Sequence, residues 1–100
     1  MTEMDKLDAM LTDRGIEHTY GRRFPEMDEL VSKEPDLFKG QDWGTQIVVY
    51  DGKMRSWDAI CGYGSYGYEQ GLIEVMGSVT DKDVEGFLTA DEVIKRLKIS

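Results

Sequence analysis

Trp57-Asp58-Ala59-Ile60-Cys61-Gly62-Tyr63-Gly64-Ser65-Tyr66-Gly67-Tyr68-Glu69-Gln70-Gly71-Leu72-Ile73-Glu74-Val75-Met76-Gly77 is the stretch on which the fold turns. It holds the only Cys, one of the two Trp and three of the five Tyr. Alternation through residues 57–61 predicts the end of a strand, and the glycine–tyrosine run a tight turn. From about Tyr66 the apolar period changes from two to 3.6. Tyr68, Leu72, Val75 and Met76 then share a helical face, with Glu69, Gln70 and Glu74 away from it. Ser65 is placed as the N-cap of this helix and Gly77 as its C-terminal cap. Gly71 inside it would cost about 1 kcal/mol against Ala, which implies the close approach of another backbone or ring.

Upstream, two β-rich runs flank Asp51-Gly52, a strong short-range hairpin signal. A two-residue turn there pairs Tyr50 with Lys53, Val49 with Met54, Val48 with Arg55, Ile47 with Ser56 and Gln46 with Trp57. One face of the hairpin carries Ile47, Val49, Met54 and Ile60 and is expected to be the core. The other carries Val48, Tyr50, Trp57 and Ala59, interleaved with Lys53 and Arg55; it is covered by a helix or exposed for a partner.

Near the start, Thr2 with Asp5 gives a weak form of the capping box, and Met4, Leu7, Met10 and Leu11 recur at helical spacing. Gly15 suits a left-handed helix end. Residues 16–20 alternate as a short strand with Ile16, His18 and Tyr20 on one side. Pro25 suits the first turn of a short helix through Lys33, with Met27, Leu30 and Val31 inward, and Pro35 stops it. Residues 34–44 read as a loop pinned by Leu37, Phe38 and Trp43. Residues 78–86 read as a polar, Asp-rich connection. Thr89-Ala90-Asp91-Glu92 is a full capping box for a final helix with Val93, Ile94 and Leu97 inward, and Lys95, Arg96 and Lys98 suit its negative end. The expected fold is one α+β domain over residues 1–100. A small antiparallel sheet of about three strands, with the hairpin 45–60 at its centre, packs with three to four helices.

The composition is that of an ordinary globular protein, with 40% hydrophobic and 32% charged residues. No apolar run approaches the roughly 20 residues of a membrane span, so no membrane association is expected. No basic leader precedes the fold, and a lone Cys makes no internal disulfide; both fit a cytoplasmic protein. The net charge of −8 argues against direct nucleic-acid binding, which needs clustered Lys and Arg. It fits either a solvated acidic surface or an acidic face turned to a basic partner, such as the nucleic-acid site of another protein.

Gly62-Tyr63-Gly64-Ser65-Tyr66-Gly67 matches G-x-G-x-x-G, but dinucleotide binding needs a parallel βαβ unit, and a hairpin strand precedes this run. Cys61 and His18 are the only thiol and imidazole, and nothing local places them together, so no catalytic residue is assigned. The Asp and Glu residues lack the spacing of a calcium loop, and no Cys or His cluster suits zinc; no metal or cofactor is expected. Tyr63, Tyr66 and Tyr68 near Trp57 can form an amphipathic contact surface, line a pocket for a planar ligand, or pack in the core.

The runs 46–52, 57–61, 65–77 and 84–97 resemble small uncharacterised proteins encoded by phages and prophages of clostridial bacteria. The resemblance covers roughly the last 55 residues and brings no established activity or site residues. It implies a phage-encoded cytoplasmic accessory protein in a bacterial host. By analogy with other short acidic phage proteins, its partner is a host protein, such as a CRISPR-type defence nuclease blocked at its nucleic-acid channel. The expected function is therefore a non-enzymatic binding protein that inhibits or redirects a host protein. Its anchors are Trp57, Tyr63, Tyr66 and Tyr68, with Asp58, Glu69 and Glu74 supplying electrostatic complementarity. The alternative is a small-molecule or nucleotide-signal binder that uses the turn 62–68. Oligomeric state is not encoded in any pattern of the sequence.

Overall fold

In the computed structural model the described residues are 2–23, 33 and 43–97. The hairpin forms where Asp-Gly marks it, between β2 (Thr45–Asp51) and β3 (Met54–Cys61), but its register differs from expectation. Asp51 pairs with Met54, so the two loop residues are Gly52 and Lys53, with Gly52 at φ 64°. Glycine at the first central position is the arrangement of a II′ hairpin turn. Beyond Tyr50↔Arg55 the pairing jumps to Val49↔Trp57, which leaves Ser56 as one extra residue in β3. A single-residue bulge reverses which side of the sheet every later side chain faces. Trp57 and Ala59 therefore join Ile47 and Val49 in the core, and Ile60 goes to the opposite face, where it lies alongside Val48. The expected partition of the hairpin faces is thus corrected by this bulge.

The sheet itself is larger than expected. Among the described residues it has five strands in the order β1-β2-β3-β4-β5, every neighbouring pair antiparallel. The flanking strands are β1 (His18–Arg22), β4 (Ile73–Gly77) and β5 (Glu85–Leu88). Two α-helices are described, α1 (Glu3–Asp13) and α2 (Ala90–Leu97), not three to four. The helix expected from Tyr66 is a short 3-10 turn, Tyr68–Gln70, followed by β4. Ile73 and Val75 turn their β-branched side chains into the core, and Glu74 between them faces the other way, as a strand requires. Ser65 closes a turn instead of capping a helix: its hydroxyl accepts from the Gly62 N–H at 3.0 Å and donates to the Gly62 carbonyl at 2.7 Å. Part of the polar connection 78–86 becomes β5. Of the short helix expected from Pro25 only Lys33 is described, in helical conformation, and the rest of it and the loop anchors Leu37 and Phe38 lie outside the described residues.

Both helices lie on one face of the sheet. Met4, Leu7 and Leu11 of α1 and Val93 and Ile94 of α2 pack with Ile47, Val49, Trp57, Ala59, Ile73, Val75 and Leu88. Local caps set both helix starts. The Thr2 hydroxyl accepts from the Asp5 N–H while the Asp5 carboxyl accepts from Thr2; Thr89 and Glu92 repeat this box at α2. Glu3 joins the two helices by accepting the Ala90 N–H at 2.9 Å, and that bond, with Lys6 beside it, holds the Glu3 carboxyl below its usual range. Tyr20 of β1 donates to Asp5 at 2.8 Å, which holds Asp5 below the ordinary carboxylate range. Arg96 of α2 grips Glu85 of β5 with two guanidinium nitrogens, which sets the Glu85 carboxyl at about 2.

The depressed Glu85 value has a sign for acid stability. The ion pair contributes fully above the ordinary carboxylate value of 4.5, and its contribution is lost as pH falls through about 2. Arg96→Leu should lower stability by about 1 kcal/mol at neutral pH. Urea unfolding at a series of pH values should show the gap between variant and parent shrinking as pH falls below 4.5.

Candidate functional site

The loop between β3 and β4 is built to display rings on a fixed backbone. Tyr66 is held at both of its main-chain polar groups. Its N–H donates to the Glu74 carboxyl at 3.2 Å, and its carbonyl accepts from the Phe87 N–H at 3.4 Å. Two glycines allow this contact. A Cβ on Gly86 would stand 2.3 Å from the Tyr66 Cβ, and one on Gly67, at φ 91°, would stand 2.9 Å from the Leu72 Cβ and 3.1 Å from the Phe87 Cα. The 3-10 turn then closes through Gln70 N–H to the Gly67 carbonyl, and Leu72 N–H bonds the same oxygen to start β4.

Phe87 is the second irregularity of the sheet. Ile73 pairs with Leu88 but Val75 with Glu85, so β5 carries one residue more than β4 across this span. Phe87 takes up the difference at φ 59°, the left-handed region that an aromatic residue rarely occupies. It remains 56% exposed, and its ring stacks on that of Tyr66, centroids 6.4 Å apart and planes 29° apart. Tyr66 is 60% exposed and Tyr63 44%. The Tyr63 and Trp43 rings meet at 5.9 Å and 86°, a favoured T-shaped contact. Tyr63, Tyr66, Tyr68, Glu69, Gln70 and Phe87 line one open groove of about 590 Å³.

The seven residues singled out in the sequence separate into two groups. Tyr63, Tyr66, Tyr68 and Glu69 meet in the groove. Trp57 is 3% exposed and belongs to the core beneath the helices. Asp58, half-buried, accepts from the Gln46 side chain at 3.1 Å on the face away from the helices. Glu74 is 8% exposed and reaches the groove through the backbone of Tyr66. Phe87 was missed. The one signal for it is Gly86 inside a short apolar run, a position where strands bulge.

Among the described residues the only thiol and imidazole lie apart. His18 pairs across the sheet with Val49, and Cys61 with Thr45, four positions further along β2. That offset alone is about 13 Å. His18 instead bonds the Ile16 carbonyl and the Asp8 carboxyl, each at 2.7 Å. The strands on either side of the glycine-rich loop are antiparallel, which removes the parallel unit that a dinucleotide fingerprint requires. Among the described residues no group of three or more His, Cys, Asp or Glu could hold a metal ion, and no helix is long and apolar enough to cross a membrane. A second cavity of about 520 Å³, between the 78–82 turn and α2, centres on Glu85 and Arg96, which neutralise one another. Comparison with protein-family models, curated proteins and solved structures finds no match to this chain.

Two substitutions test this division of labour. Trp57→Ala should cost about 3–5 kcal/mol of stability, as core truncations of large aromatics do, measured by urea unfolding. Phe87→Gly should stay within about 1 kcal/mol of the parent, because relief of the left-handed strain offsets the lost ring contact. Phe87→Val, β-branched at the same φ, should be less stable than Phe87→Gly by about 1–3 kcal/mol.

Proposed function

We propose that this chain is a non-catalytic binding protein that docks a protein partner on the groove of Tyr63, Tyr66, Tyr68 and Phe87 and thereby inhibits or redirects it. The observation that carries the proposal is the exposed Tyr66–Phe87 pair: two large rings kept in solvent, one on a doubly bonded backbone and the other in a strained conformation. Exposed aromatic anchors on a fixed backbone lose little conformational entropy on binding, and aromatic residues dominate interface hot spots. The net charge of −8 supports a basic partner and rapid, salt-sensitive association. In the setting that the phage resemblance implies, the protein acts in the bacterial cytoplasm, and a host defence nuclease with a basic nucleic-acid channel is the first partner to test.

Tagged protein should capture a stoichiometric partner from a nuclease-treated clostridial lysate at low salt and lose it as salt rises. A true anchor contributes about 2 kcal/mol or more, so Tyr66→Leu and Phe87→Gly should each weaken capture by roughly 30-fold while the fold persists. A partner held equally by both variants would place binding elsewhere on the molecule. The absence of any protein partner would favour small-ligand binding instead.

A further inference from the structure

The groove is chemically one-sided. Tyr63, Tyr66, Tyr68 and Phe87 contribute rings, Glu69 an acid and Gln70 an amide, and among the described residues none of the lining is Lys, Arg or His. Ring faces carry the negative part of an aromatic quadrupole and attract a cation held within about 6 Å of the centroid. The Tyr66 and Phe87 rings stack on one another, centroids 6.4 Å and planes 29° apart, and both residues stay more than half exposed. The surrounding chain is strongly acidic, at −8. Exposed rings and negative charge favour the same class of ligand: a cation, and a flat one can stack on a ring.

We propose that the groove is a receptor for an arginine side chain carried on a basic segment of the partner. Its guanidinium stacks on the solvent-exposed side of the Tyr66–Phe87 pair and bonds to the Glu69 carboxyl. This inference rests on the protein-binding function proposed above. Arginine fits better than lysine for a physical reason. A guanidinium is planar and weakly hydrated, so it stacks on a ring while its edge still donates to a carboxyl; an ammonium is a compact, strongly hydrated point charge. The bonds from Tyr66 to Glu74 and Phe87 hold the receiving surface in place before binding, which lowers the ordering cost.

The test is an amide NMR titration of the whole protein with a short blocked glycine peptide carrying arginines, and with the same peptide carrying uncharged citrulline instead. The arginine peptide should shift the amides of residues 63–70 and of Phe87 and bind about tenfold more tightly than the citrulline peptide. Tyr66→Leu keeps an aliphatic contact over Gly86 and should abolish the localised shifts with the rest of the spectrum unchanged. Phe87→Gly serves the same purpose with a residue suited to that backbone. Equal binding of the citrulline peptide would overturn the inference. So would shifts spread over the acidic surface at Asp13, Asp81 and Asp83. A captured partner that depends on Tyr66 and Phe87 but is indifferent to competing arginine peptide would end this inference and leave the binding function standing. A partner indifferent to both residues would end both.

Discussion

Ser56 has no partner across the β2–β3 ladder, and that one unmatched residue decides which side chains of β3 lie beneath the helices. Before it, Met54 and Arg55 follow the pleat set by the hairpin turn; after it, Trp57 and Ala59 face inward with Ile47 and Val49. The extra residue is not left unsatisfied. Its carbonyl accepts the Ser78 N–H at 3.0 Å, and the two serine hydroxyls meet at 2.6 Å. The bulge is thus tied to the start of the connection that follows β4. Without it the largest core side chain of the sheet would point away from α1 and α2, and the two helices would close over a gap.

The groove depends on a second bulge, at the other end of the same sheet. There the extra residue is Phe87, and its left-handed backbone turns the ring outward onto Tyr66. The loop and the bulge define each other: the Tyr66 carbonyl accepts from Phe87, and the absence of side chains at Gly67 and Gly86 lets the two segments touch. Glu74 completes the arrangement from β4 by fixing the Tyr66 amide. Rigid strands thus carry what would otherwise be a mobile aromatic loop, which makes exposed rings useful for recognition.

Features that rest on contacts within a few residues were legible in the sequence. Both capping boxes, the left-handed Gly15 and the hairpin around Gly52 all depend on bonds made locally. The bulges were not legible, because Ser56 and Phe87 are extra only relative to strands elsewhere in the chain. The stretch 66–76 fits both periods: Leu72, Val75 and Met76 recur as in a helix, while Ile73, Glu74 and Val75 alternate as in a strand. What decides between them is tertiary, the β3 edge available for pairing on one side and β5 on the other. Gly71, at φ 73°, was the local hint, since a left-handed residue ends a helical turn. Tyr63, Tyr66, Tyr68 and Glu69 could be grouped because one loop carries them all. The burial of Trp57 and Glu74 was not legible because their sides of the sheet follow from pairing, and Phe87 arrives from another strand.

The meander has a consequence for synthesis on the ribosome. Each of β3, β4 and β5 can pair with its predecessor as soon as it emerges, since every strand's neighbour is the one before it in the chain. The α1 helix has no such early completion. Val93 and Ile94 complete its packing, and Glu3 waits for the Ala90 amide 87 positions downstream. Until α2 clears the exit tunnel, the inner face of the growing sheet stays partly uncovered and open to chaperones and proteases. The α2 helix acts as a latch, and a product truncated just before it would carry the five described strands yet leave the part of their apolar face that α1 does not cover exposed.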